Sequence, residues 1–78
     1  MDQWTQIDNT LVRTYEFADF DAAWSFLEKV AEKARQHNHH PTIENTYNKV
    51  TLTLTTHDEG NQVTDKDRDL AASINTLY

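Results

Sequence analysis

The sequence predicts an α+β layer fold: a four-stranded antiparallel sheet, in the order ββαββα, with two helices packed on one face. Three observations lead there. Residues 20–37 repeat apolar side chains at steps of three and four. Val50-Thr51-Leu52-Thr53-Leu54-Thr55 alternates strictly. Thr64-Asp65-Lys66-Asp67 has the form of a helix start ahead of Leu70 and Ala71.

The elements follow in order. Residues 3–7 and 11–17 are expected to form a first hairpin, with Trp4, Ile7, Leu11, Val12, Tyr15 and Phe17 as strand formers and Asp8-Asn9-Thr10 as the turn. In its second strand Leu11, Arg13, Tyr15 and Phe17 share a face, where Arg13 is expected to snorkel at an edge. The helix over 20–37 has a stripe of Phe20, Ala23, Trp24, Leu27, Val30, Ala31 and Ala34. Asp19 is placed to cap its start, Asn38 to end it in a left-handed conformation, and Pro41 to stop it resuming. Trp24 and Phe26 are read as core or subunit contacts rather than ligand platforms. Residues 42–57 form a second hairpin bent at Asn48-Lys49. Its alternation buries Val50, Leu52 and Leu54 and puts His57 on the threonine side, away from the core. After a loop, DEGNQV at 58–63, the last helix carries Leu70, Ala71, Ile74 and Leu77 on one stripe, with acidic residues in the first turn where the helix dipole favours them.

All 78 residues read as one domain (1–78), small enough that only roughly 60% of the unfolded surface is hidden on folding. No cysteine is present to add a disulfide, so self-association is the expected supplement. The net charge of −6 opposes direct nucleic-acid binding. Met1-Asp2-Gln3-Trp4 has neither the basic nor the apolar region of a secretion signal, and no apolar run approaches membrane-spanning length. A soluble, cytoplasmic protein with no membrane partner is expected.

The candidate chemistry lies in the histidines. All four fall between His37 and His57, and imidazole, with an unperturbed pKa of about 6.5, exchanges protons near neutral pH. His39 and His40 stand between a helix end and a proline, where the chain is pushed to an extended conformation. A hairpin folding back near Asn48 returns His57 toward that pair. Surface histidines flanking a turn are the plainer alternative. A metal site built from His37, His39 and His40 is disfavoured, because the spacing matches no zinc signature.

His39-His40-Pro41, Tyr47-Asn48-Lys49-Val50, Leu54-Thr55-Thr56-His57-Asp58 and Thr64-Asp65-Lys66-Asp67 with Leu70-Ala71 occur in that order. Together they resemble the pterin-4a-carbinolamine dehydratase family. The agreement runs from Trp4 to the C-terminus and includes Phe17-Ala18-Asp19-Phe20. The resemblance implies a dimeric or tetrameric α+β enzyme without metal or cofactor. Its reaction would be dehydration of 4a-hydroxytetrahydropterin to quinonoid dihydropterin, recycling the cofactor of aromatic amino-acid hydroxylases. It implies His39, His40 and His57 as catalytic histidines and Asp67 as the active-site aspartate. Pro41, Ile43, Thr55, Thr56 and Asp58 become the expected substrate contacts. His40 and His57 are the expected proton-transfer pair, with His39 orienting the hydroxyl or sharing the acid role. The chain departs from many members in carrying Arg35 four positions before the first of these histidines, Ile43 where some have an aromatic, and a longer loop before Asp67. Relatives on this scaffold also include a dimerisation cofactor of a homeodomain transcription factor and Rubisco assembly proteins. A non-catalytic interaction protein is therefore the alternative.

Overall fold

The computed structural model describes residues 4–57 and 60–78. Its elements are β1 (Thr5–Ile7), β2 (Thr10–Glu16), α1 (Phe20–His37), β3 (Thr42–Thr46), β4 (Lys49–Leu54) and α2 (Asp65–Asn75). The strands form one antiparallel sheet in the order β1-β2-β4-β3, and this is the α+β arrangement expected. The period-two pattern sets which face is buried. Leu11 and Tyr15 of β2 and Val50, Leu52 and Leu54 of β4 point into the core with Val30 of α1 and Leu70 and Ile74 of α2. Each fully buried aliphatic side chain of this kind contributes about 1.5–3 kcal/mol. On the opposite face Thr14 and Thr51 share a hydroxyl hydrogen bond of 3.1 Å.

The caps fix α1. The Asp19 carboxylate accepts from the Ala22 amide at 2.8 Å, and Asn38 closes the other end with φ 50°. The helix face differs from the expected stripe. Ala23, Phe26, Leu27, Val30 and Ala34 are buried, whereas Phe20 and Trp24 are 44% and 50% exposed. Phe26 wins the inward position because Tyr15 and Phe17 offer it rings, with centroids at 4.6 and 5.1 Å. Phe20 and Trp24 stack on each other outside, 6.0 Å apart.

Three local expectations are corrected. The second hairpin bends at Tyr47-Asn48, one residue early, with Tyr47 left-handed at φ 50°. Asn48 is held there by a distant strand end: its side-chain amide donates to the Phe17 carbonyl, and the Phe17 amide donates to its carbonyl, both at 2.9 Å. β4 ends at Leu54 rather than reaching His57. Arg13 does not sit at a sheet edge, because β2 is an interior strand. Its guanidinium crosses the Tyr15 ring at 4.3 Å and donates to Asn75 Oδ1, at the C-terminal end of α2, across 2.9 Å. Among the described residues no helix is long and apolar enough to cross a membrane.

Candidate active site

The site begins where α1 stops. With Asn38 left-handed, its amide donates to the Arg35 carbonyl at 3.2 Å and the His39 amide donates to the Ala34 carbonyl at 3.1 Å. These are the two bonds of a Schellman closure. The chain leaves the helix abruptly, and His39, His40 and Pro41 form the link to β3. Register completes the arrangement. Thr42 opposes Thr53, so the start of β3 lies beside the end of β4 and brings the link near Thr56 and His57.

A cleft of about 390 Å³ lies at this junction. His39, His40 and His57 all line it, together with Asn38, Pro41, Thr42, Thr56 and Lys66. Its volume falls in the range of small-molecule sites. Among the described residues no group of three or more His, Cys, Asp or Glu side chains is arranged to hold a metal. The imidazoles share a cavity without meeting at a ligand point.

Behind the cleft stands Asp67, fully buried. It is the third residue of α2, and its Oδ2 accepts from the Thr64 amide at 2.9 Å, completing a capping box with Thr64. The same oxygen accepts from the Thr56 hydroxyl at 2.7 Å, and Oδ1 accepts from His39 Nε2–H at 2.5 Å. Thr56 and Thr64 also share a hydroxyl hydrogen bond of 2.7 Å. Burial by itself would push the Asp67 carboxyl up. The hydrogen bonds from His39, Thr64 and Thr56 outweigh it and hold the group below the ordinary carboxylate range. With Nε2–H committed to the carboxylate, the neutral form of the His39 ring is the one with its lone pair on Nδ1.

His57 is exposed, on a loop clamped at its base. Thr56 and Gln62 form an antiparallel bridge, the Thr56 amide donating at 2.9 Å and the Gln62 amide at 3.3 Å. Inside the loop the Gly60 amide donates to the His57 carbonyl at 3.1 Å, and His57 Nδ1–H donates to Asn61 Oδ1 at 2.6 Å.

The structure thus gathers His39, His40, His57 and Pro41 at one cleft, with Asp67 supporting it from behind. Other expected contacts lie differently. Thr56 lines the wall, but its hydroxyl is engaged by Asp67 and Thr64 and is not offered to a ligand. Thr55 is outside the cleft, because its hydroxyl donates to the Asn9 carbonyl at 2.8 Å and ties β4 to the first hairpin. Ile43 is also outside it. Paired with Leu52, it faces the helices at the sheet edge and lines an apolar groove with Trp24, Leu27, Glu28, Ala31 and Asn45. Asp58 falls outside the described residues. Asn38, Thr42 and Lys66 at the cleft, and Asn61 behind His57, were not expected. Adjacency to His39 and Pro41 points to the first two, whereas nothing in spacing or periodicity points to Lys66 or Asn61.

Comparison with known proteins shows the family and agrees with the fold. The sequence model of the family described as pterin 4 alpha carbinolamine dehydratase matches residues 1–77. A protein of Picosynechococcus sp., provisionally named pterin-4-alpha-carbinolamine dehydratase, is 45% identical over 75 residues, covering 96% of this chain and 80% of its own. One of Acidobacterium capsulatum, named in the same way, is 55% identical over 65 residues, covering 83% and 70%. The crystal structure of a transcriptional coactivator/pterin dehydratase from Brucella melitensis superposes with a TM-score of 0.91 at 37% identity, covering 97% of this chain and 82% of that one. A pterin dehydratase-like protein identified as a RuBisCO assembly factor in the alpha-carboxysome shares the fold, with a TM-score of 0.76 at 20% identity.

Proposed function

Because the chain belongs to the pterin-4α-carbinolamine dehydratase family, we propose that it catalyses loss of water from 4a-hydroxytetrahydropterin, giving quinonoid dihydropterin. The observation that carries this reading is the shared cleft of His39, His40 and His57, with an ionised carboxylate fixed behind it. The reaction breaks the C4a–O bond and the N5–H bond and forms C4a=N5. The hydroxyl leaves as water once protonated, and N5 gives up its proton as its electrons move into the new double bond. One imidazolium and one neutral imidazole on opposite sides of the bicyclic ring meet both requirements. Help of this kind contributes typically about 10²–10⁴-fold.

His40 and His57 are the proton-transfer pair in this reading. His39 is anchored by Asp67 and orients the leaving hydroxyl through Nδ1. No metal or prosthetic group takes part, and the enzyme acts in the cytoplasm on pterin recycled from aromatic amino-acid hydroxylation. Mixing the protein with freshly generated 4a-carbinolamine and following its loss spectroscopically tests the reading. A decay rate equal to the uncatalysed one at high protein concentration refutes it.

A second reading rests on the groove between α1 and β3 and on the exposed rings of Phe20 and Trp24 beside it. Apolar surface of this kind marks a protein contact. It is the surface we assign to a homodimer or homotetramer. An adaptor role through the same face, without catalysis, is the alternative.

A further inference from the structure

We propose that Asn61 is a positioning residue for His57: its amide oxygen holds the ring in the Nδ1–H form and leaves Nε2 as the nitrogen that meets the substrate. The inference rests on the dehydratase reading for the role of Nε2 but not for the tautomer. The loop is built to deliver this contact. The Thr56–Gln62 bridge pins both ends, Gly60 at φ 74° and Asn61 at φ 59° turn the chain back, and the Gly60 amide bonds to the His57 carbonyl. Asparagine is among the few residues that tolerate a left-handed backbone, and its short side chain can reach a neighbour there.

A carbonyl oxygen only accepts. A 2.6 Å approach of Asn61 Oδ1 to His57 Nδ1 therefore requires the ring to carry hydrogen on Nδ1. Among the described residues Nε2 has no partner, and His57 lines the cleft. The two anchored histidines thus present opposite nitrogens. His39, bound at Nε2 by a carboxylate, shows Nδ1, whereas His57, bound at Nδ1 by a neutral amide, shows Nε2. A neutral acceptor orients the ring without the negative charge that would favour its protonated form.

The test is long-range proton–nitrogen correlation of the imidazole nitrogens in the full-length ¹⁵N-labelled chain, recorded where the rings are neutral. His57 is expected to show hydrogen on Nδ1 and a bare Nε2. Asn61→Gly removes the amide without backbone strain and should move the proton to Nε2, with His39 signals unchanged as the control for folding. Asn61→Asp keeps an acceptor and should retain the Nδ1–H form. With carbinolamine as substrate, Asn61→Gly should lower kcat about three- to tenfold, the size of one lost hydrogen bond, with KM little changed. A wild-type His57 with hydrogen on Nε2, or a ring unaffected by Asn61→Gly, overturns the proposal. An inactive wild type with the Nδ1–H form intact sinks the dehydratase reading and leaves the positioning role standing.

Discussion

Replacing Asp67 by asparagine tests the hub of the site. The carboxylate accepts from His39, from the Thr56 hydroxyl and from the Thr64 amide, in a fully buried position. Asparagine keeps the shape but offers one oxygen and one NH₂ group. If the oxygen stays with Thr56 and Thr64, the NH₂ group confronts His39 Nε2–H, donor against donor. His39 recovers a bond only by moving its proton to Nδ1, which reverses the nitrogen it presents to the cleft. Hydrogen bonds to a charged group are worth about 1.5–3 kcal/mol and neutral ones about 0.5–1.5, so the net loss across the cluster is about 2 kcal/mol. In a domain of this size that lowers the melting temperature by roughly 8–16 °C. The pH dependence has a definite sign. The folded pKa of Asp67 lies below its unfolded value, so its stabilisation is complete above about pH 4 and is lost as pH falls through the folded value. Urea unfolding at neutral pH and along an acid series measures both effects. The asparagine variant should lose stability at neutral pH and lack this part of the acid dependence. A variant within about 0.5 kcal/mol of wild type, with an unchanged acid limb, would show that the carboxylate is not the hub.

Further outcomes are expected. His40→Ala should cut dehydratase turnover about 10²-fold or more while His37→Ala, at the solvated helix end, leaves it within about twofold; equal losses would break the assignment. Thr56→Val should destabilise by about 1–2 kcal/mol in urea titrations, and Thr56→Ser should restore most of it, since only the hydroxyl reaches Asp67. Trp24→Glu should shift sedimentation toward the monomer by placing a charge in the apolar groove; an unchanged coefficient would locate the subunit contact elsewhere.

What could be read from the sequence follows the range of the interactions. Both ends of α1 were legible because Asp19 and Asn38 act on backbone groups within one turn. The buried side of β4 was legible because alternation is a property of the strand alone. The bend at Tyr47-Asn48 was displaced by a bond to Phe17, a neighbour only in three dimensions. The rotation of α1 was set by the rings of Tyr15 in β2 and of Phe17 just beyond it, which favoured Phe26 over Trp24. In the site, the helix stop, the proline and the hairpin pointed to the three histidines. The engagement of Thr56, the departure of Thr55 toward Asn9 and the position of Ile43 under α1 depend on register, which alternation does not fix. Asp67 was legible as a capping-box residue and, through the family resemblance, as the active-site aspartate; that its partner is His39 depends on how α2 docks, which local pattern does not fix.

That double engagement has an evolutionary consequence. The carboxylate that steadies an imidazole also starts the closing helix, so a descendant that abandoned dehydration and survived as an adaptor would still need an acid at this position to keep its shape. Finding the acid retained is therefore no witness to surviving chemistry; on the dehydratase reading that testimony falls to His40 and His57, which take no part in the Asp67 cluster.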